Sequence, residues 1–205
     1  MIEFLVSGIL LGTVAGISPG PLLALVISET VKTNYKQGVK IAFSVFISDL
    51  PIVLASILLI SKITNFNFLL GIISFLGSAF VTYLAYENIS IKPFNLQEVK
   101  VQKNALVKGV LTNLFSPHPY LFWILVGAPT FIKASQQSWF AALLFILGFY
   151  VFIVGTKVII AVLSEKSKSF ISSKSYLLII KILGYILLLF SLILIYDGLQ
   201  FFGII

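Results

Sequence analysis

The chain of 205 residues contains no cysteine and no arginine, and it has a single histidine. Without cysteine it cannot form disulfides, thiolate metal sites or thiol redox centres. Charged residues are scarce as well, because they make up only 10% of the chain while hydrophobic residues make up 59%. A soluble domain needs a more polar surface than this composition can supply. The sequence therefore predicts an integral membrane protein.

The few charges are mostly positive, since 14 lysines face seven acidic residues and give a net charge of +7. The lysines are scattered between apolar runs and do not form the clustered basic surface of a nucleic-acid-binding protein. We therefore expect membrane lipid around the chain and no nucleic-acid partner. A glycine-rich phosphate-binding loop is also missing, so neither ATP drive nor a cofactor is expected.

Six apolar segments are each long enough to cross a hydrocarbon core about 30 Å thick. They are residues 4–27, 41–61, 68–86, 109–132, 139–163 and 176–196. The first residues, Met1-Ile2-Glu3, lack the basic region of a signal peptide, so we expect the first segment to stay in the membrane. The predicted fold is an all-α membrane protein with six transmembrane helices.

A four-residue motif occurs twice inside these apolar segments, once in the first and once in the fourth. The two copies are Ser18-Pro19-Gly20-Pro21 and Ser116-Pro117-His118-Pro119. Proline removes a backbone donor and clashes with the preceding turn, so each span is predicted to break at its motif. Serine is a favoured N-cap and proline a favoured first helical residue, so a half-helix is predicted to begin at Ser18 and at Ser116.

The lysines also predict the orientation of the spans, because cytoplasmic loops are enriched in Lys and Arg. Ten lysines fall in the first, third and fifth loops, whereas only Lys62 and Lys133 fall in the second and fourth. The odd loops are therefore predicted to be cytoplasmic and both termini to lie outside. With three spans in each half, the halves become a 3+3 inverted repeat. We predict a first repeat at 1–88, a linker at 89–108 and a second repeat at 109–205.

Asp49 is the only acidic residue well inside a predicted span. It lies about 12 Å along its helix, near the middle of a hydrocarbon core about 30 Å thick. A carboxylate at this depth is costly and usually faces a cavity or a partner. One hypothesis makes it the counter-ion of a substrate ammonium group or a proton carrier. The alternative is that it caps a helix that restarts at Pro51.

Three other polar residues are candidates for the same region. His118 is expected either to serve proton coupling or substrate contact, because histidine titrates near neutral pH, or to be only a hydrogen-bonding group in a pore. Asn113 lies about one turn before Ser116 and is expected to bind substrate or the backbone freed by the break. Lys157 is expected to extend to the interface, or alternatively to pair with Asp49. One histidine and one aspartate do not form a metal ligand set, so no metal is expected.

The two breaks and Asp49 together complement a zwitterion, because helix N-termini attract a carboxylate and Asp49 attracts an ammonium group. The predicted substrate-binding residues are Ser18, Pro19, Gly20, Pro21, Asp49, Asn113, Ser116, Pro117, His118 and Pro119. Asp49 and His118 are also the candidates for proton coupling. The chemistry favours a small α-amino acid as the substrate.

Three stretches carry a family resemblance: residues 16–21 with a Pro-Gly-Pro triplet, Gly38 with Asp49, and residues 113–123. Together they resemble the LysE/RhtB amino-acid exporters over the full six-span layout. The resemblance implies a secondary transporter that exports amino acids or related metabolites in exchange for protons. The chain differs from the usual family pattern at Ser48, where the family has glycine, and at 116–118, where the family commonly has Asn-Pro-Lys.

Two alternative functions stay open at this point. One is a cation or metal-ion exporter, although few ligand-type side chains lie in the spans. The other is a membrane-embedded enzyme, although no Gly-x-Ser-x-Gly or two-histidine pattern is present. The assembly state also has two interpretations, because Gly8, Gly12 and Gly16 recur every four residues and allow close helix packing. Internal packing is the prediction, and a homo-oligomer face is the alternative.

Overall fold

The computed structural model describes residues 1–18, 20–61, 66–90, 104–166 and 174–204. Within these residues all regular structure is helical and no strand occurs, which confirms the predicted all-α class. The helices are α1 (Ile2–Ile17), α2 (Pro21–Lys32), α3 (Tyr35–Ser61), α4 (Phe66–Ile89), α5 (Ala105–Leu114), α6 (Pro117–Phe122), α7 (Ala128–Gln137), α8 (Trp139–Lys166) and α9 (Lys174–Phe201). A π-helical segment, Trp123–Gly127, joins α6 to α7.

Four of these helices, α3, α4, α8 and α9, are long and apolar enough to cross a membrane. A fifth span results if α1 and α2 are taken together, although the axis bends by 58° between them. The fourth predicted span, 109–132, is divided among α5, α6, the π-helical segment and α7. The described chain is thus a multi-pass bundle with four or five candidate spans. The six-span inverted repeat stays a prediction, as do the domain boundaries, and residues 91–103 of the predicted linker lie outside the described residues.

The outward faces of the long helices are apolar. Leu54 of α3, Leu147 of α8 and Leu189 of α9 each have more than half of their surface exposed. A soluble monomer rarely exposes so much contiguous apolar surface. These faces suit contact with hydrocarbon.

The first break lies where the sequence predicts it, but the new half-helix begins later than predicted. Ser18 ends α1, and its N–H donates to the carbonyl of Val14 at 2.7 Å. Gly20, in an extended conformation, is the N-cap of α2, and Pro21 is its first residue. The prediction of a helix start at Ser18 is therefore wrong. Glycine is a poor helix residue and also precedes a proline, so helical geometry at Gly20 is disfavoured twice.

The second break follows the prediction more closely. α5 ends at Leu114, Ser116 is the extended N-cap of α6, and Pro117 is its first residue. His118 replaces the glycine of the first motif, so the helix continues through it to Pro119. This confirms the predicted half-helix start at Ser116.

Close helix pairs hold the broken segments in place. α1 packs along α8, because Gly8 and Gly12 lie against the backbone of Phe145 and Phe149, where a Cβ at either glycine would overlap a carbonyl oxygen. The predicted internal packing of the glycine stripe is confirmed. α5 packs in a similar way along α3, where Gly109 lies against the side chain of Ser44. α4 packs along α9.

Candidate transport site

Both helix breaks border one cavity of about 140 Å³, enclosed by helices from both halves of the chain. This is roughly ten times the space that a single buried water requires, so the cavity has room for a small organic molecule. Its walls are mainly apolar, with Leu11 and Val14 from α1, Phe80 from α4 and Phe149 from α8. A few polar groups converge on these walls, which is typical of a small-molecule site.

Asp49 is the acidic group inside this cavity. It lies near the middle of α3 and is only 3% exposed. Its Oδ1 accepts a hydrogen bond from Asn113 Nδ2 at 2.6 Å, and its Oδ2 accepts one from Trp123 Nε1 at 3.3 Å. The same Asn113 amide also donates to Ser48 Oγ at 2.7 Å. The carboxylate is thus held by the second half of the chain, from the last turn of α5 and from the π-helical segment.

The alternative role of Asp49 as a helix cap is wrong. α3 continues through Pro51 without a restart, so no new N-terminus is present for Asp49 to cap. Proline within a membrane helix is tolerated where neighbouring groups compensate for the missing hydrogen bond. The hydroxyl of Ser48 bonds to the carbonyl of Ser44 one turn earlier, which adds local polar contacts at this point of the helix.

Lys157 of α8 supplies a buried positive charge at the same cavity. Its side chain is not at the interface, because the residue is only 3% exposed. The ammonium group donates to the carbonyl oxygens of Ala15 and Gly16, at 3.0 Å each. These carbonyls belong to the last turn of α1, where a cation is favoured by the helix dipole. The prediction that Lys157 extends to the interface is therefore wrong. The alternative, a direct pair with Asp49, is not formed either, because the ammonium group bonds to these two carbonyls.

His118 lies at the rim of the cavity, where its side chain is 37% exposed. Its Nε2 is 4.0 Å from the carboxylate of Glu87, at the end of α4. Its Nδ1 is 3.4 Å from the hydroxyl of Ser116. The histidine therefore lies, partly exposed, between an acidic group and the N-cap of α6.

The structure brings most of the predicted site residues together. The cavity is lined by eight of the ten: Ser18, Gly20, Pro21, Asp49, Asn113, Ser116, His118 and Pro119. Pro117 is exposed at the start of α6 and does not line the cavity, so the structure does not bring it to the site. Pro19 lies outside the described residues. A role for these residues in binding substrate stays a prediction.

Sequence reasoning missed three residues that the structure adds to the site. Trp123 is fully buried and donates to Asp49, although its position after Pro119 gives no hint of that partner. Glu87 faces His118, and an acidic residue at the end of an otherwise uncharged span was the available signal. Asn88 is also buried, and its Nδ2 donates to Ser18 Oγ at 3.1 Å, so α4 holds the first break.

The residues that the structure describes contain no group of three or more His, Cys, Asp or Glu side chains that could hold a metal ion. The charged groups of the cavity, Asp49, Glu87 and Lys157, lie on three different helices. What the arrangement can do is bind opposite charges of a small molecule at separate points.

Multiple apolar helices, two helix breaks and a charged cavity between them define the class: a multi-pass membrane protein of the transporter type. Comparison with protein-family models places it more narrowly. The model of the LysE type translocator family matches residues 13–198, and the chain belongs to this family. No curated protein and no solved structure matches the chain at a significant level.

Proposed function

We propose that the protein exports small zwitterionic amino acids or related metabolites across the cell membrane in exchange for protons. The observation that carries the proposal is the buried carboxylate of Asp49 in a cavity bordered by both helix breaks. A buried charge is costly unless it is compensated or used, and in membrane spans such residues mark substrate or ion pathways. Membership of a translocator family supports the same conclusion.

The substrate ammonium group binds to Asp49 in this proposal. Asn113 and Trp123 fix the carboxylate by donating to its two oxygens, which leaves the remaining lone pairs for an incoming donor. Both protein donors are neutral, so the negative charge of Asp49 is not cancelled by them. An amine entering the cavity therefore meets a preoriented anion.

The substrate carboxylate binds at the first turn of α2, on a different helix from Asp49. Leu22 and Leu23 of this turn line the cavity, and the first N–H groups of a helix lack intrahelical acceptors. This N-terminus therefore offers donors and a favourable dipole for an anion. Lys157 adds a full positive charge to the same cavity. An amino acid, which carries both charges, matches this lining better than a simple cation or anion does.

Proton coupling is assigned to Asp49 and to the pair of His118 with Glu87. Asp49 cannot hold both a proton and the substrate ammonium group, so protonation from outside releases the substrate. His118 and Glu87 are each about one third exposed at the rim. Because Glu87 lies at the end of α4 that leads into the third loop, the pair faces the cytoplasm in the proposed topology and passes the proton from Asp49 to that side. A histidine at such a rim is suited to proton transfer near neutral pH.

The proposed architecture is six spans in two inverted repeats, with both termini outside and the odd loops in the cytoplasm. The helix pairing supports it: α1 packs along α8, α5 packs along α3, and α4 packs along α9. If the repeats are 1–88 and 109–205, each first helix contacts the second helix of the other repeat, and the third helices contact each other. A two-fold axis in the membrane plane produces this exchange.

The test is efflux of a panel of labelled amino acids from vesicles that contain the purified protein. Wild-type protein should export at least one zwitterionic amino acid faster than empty vesicles, and Asp49→Asn should abolish this export while inserting normally. Glu165→Gln is the matched control, because it also removes one carboxylate charge, at an exposed residue outside the cavity. Near-normal efflux by Asp49→Asn would reject the proposal for this site.

A further inference from the structure

A second cavity, of about 220 Å³, lies between α1, α4, α7 and α9. We propose that it is a second binding site for the same zwitterionic substrate, a release chamber on the outer side of the transport path. The inference rests on the proposed function. We call this space the outer cavity and the one at Asp49 the inner cavity.

The two cavities follow each other along the same helices. On α9, Leu187 lines the inner cavity and Phe190 lines the outer one, about 4.5 Å further along the helix axis. In the π-helical segment, Trp123 lines the inner cavity and Leu125 the outer one. The two cavities thus follow each other along α9 and the π-helical segment.

Between the two cavities, α4 and the π-helical segment approach each other closely at a glycine. On α4, Ser74 lines the outer cavity and Phe80 the inner one, and Gly77 lies between them. A Cβ at Gly77 would lie 2.6 Å from the carbonyl oxygen of Leu125, so the two backbones are in contact here. π-Helical turns inside α-helices are frequent at functional sites. A change of the π-helical segment to regular α-helix would move this contact and join the cavities.

The outer cavity carries charges that suit a zwitterion. Lys133 of α7 and Asp197 of α9 form an ion pair of 2.7 Å, with side chains 43% and 17% exposed, and Glu3 of α1 also lines the cavity. A substrate carboxylate can exchange with Asp197 for the Lys133 ammonium group, while the substrate ammonium group binds to Glu3. Lys133, the more exposed partner, binds an anion more weakly than a buried cation would, which suits a site from which substrate must leave.

The test uses single cysteines, since the natural chain has none. Ser74→Cys places a thiol in the outer cavity, and Ser78→Cys, about one turn further along α4, is the matched control. Both serines are buried, at 4% and 5% exposure, but Ser78 lines neither cavity. Thr130→Cys is a second probe of the outer cavity, in case Ser74→Cys does not insert.

We expect a charged, membrane-impermeant methanethiosulfonate added outside to label Ser74→Cys or Thr130→Cys and to stop efflux. The labelling should be slower when the exported amino acid is present outside. Ser78→Cys should neither be labelled nor lose efflux. Normal efflux after complete labelling of the outer-cavity thiols, or equal labelling of Ser78→Cys, would overturn this inference alone. If unlabelled wild-type protein exports no amino acid, the proposed function fails and this inference fails with it.

Discussion

Asp49 is the residue on which the inner cavity depends, and it is held by partners that are far away in the sequence. Asn113 donates to one carboxylate oxygen and Trp123 to the other. The acidic residue itself was found from the sequence, because a lone carboxylate in an apolar run is conspicuous. Its partner Trp123 was not, since a contact across 74 residues leaves no local pattern.

The hydrogen bond from Trp123 can be tested separately from the packing of its ring. Trp123→Phe removes the indole N–H but keeps an aromatic ring against Phe122 and Phe149. Hydrogen bonds to charged groups contribute about 1.5–3 kcal/mol, so the substrate concentration for half-maximal efflux should rise roughly tenfold or more. Trp139→Phe is the control, since Trp139 is the only other tryptophan and is 71% exposed. Unchanged half-saturation in Trp123→Phe would show that the indole N–H does not orient Asp49 for binding.

Lys157 gives a second test at the residue scale. Lys157→Met removes the ammonium group that donates to two carbonyls at the end of α1 and that supplies the positive charge proposed for the substrate carboxylate. Hydrogen bonds to charged groups contribute about 1.5–3 kcal/mol each, so the thermal stability of purified protein should fall and efflux should be lost. Lys181→Met changes an exposed lysine of α9 and should do neither. Equal melting temperatures of the two variants would mean that Lys157 is held less firmly than its hydrogen bonds indicate.

At the scale of elements, the sequence predicted both helix breaks, but it predicted the first residue of the new helix correctly in only one of them. Both motifs contain two prolines, and the sequence prediction began each half-helix at the serine and the first proline, which is right only for the second copy. The structure selects Pro21 in the first copy and Pro117 in the second, because Gly20 resists helical geometry where His118 accepts it. The π-helical segment could not be predicted, since it depends on the packing of Trp123 in the assembled core.

The contact between α1 and α8 was predictable from glycine spacing and gives an element-scale test. Gly12→Ala adds a Cβ directly against the backbone of Phe149, so the helices must separate. Overpacking of this kind costs about 1–3 kcal/mol, and the melting temperature should fall accordingly. Gly155→Ala is the matched control on α8, where an added Cβ meets no atom within 4 Å. If Gly12→Ala is as stable as Gly155→Ala, the α1 and α8 backbones do not make this close contact in the membrane.

At the scale of the whole molecule, composition was enough to predict an all-helical membrane protein, because few charges and long apolar runs leave no other class. The number of spans was harder to establish. A span broken at proline consists of two or more short helices, and each of them is too short to cross the membrane by itself. The pairing of α1 with α8 and of α4 with α9 joins segments far apart in the sequence, and hydropathy contains no information about it.

The orientation of the bundle rests on the lysine distribution, and α8 offers the clearest test of it. This helix has 28 residues, about 42 Å at the helical rise, and so exceeds a hydrocarbon core of about 30 Å. Its two ends should therefore lie on opposite sides of the membrane, with the end at Lys166 in the cytoplasm. Gln136→Cys, exposed in the last turn of α7 just before α8, should react with an impermeant thiol reagent added to intact cells. Lys166→Cys, exposed at the other end, should react only after the membrane is opened. The reverse result would invert the proposed topology, and labelling of both residues from one side would show that α8 does not cross the membrane.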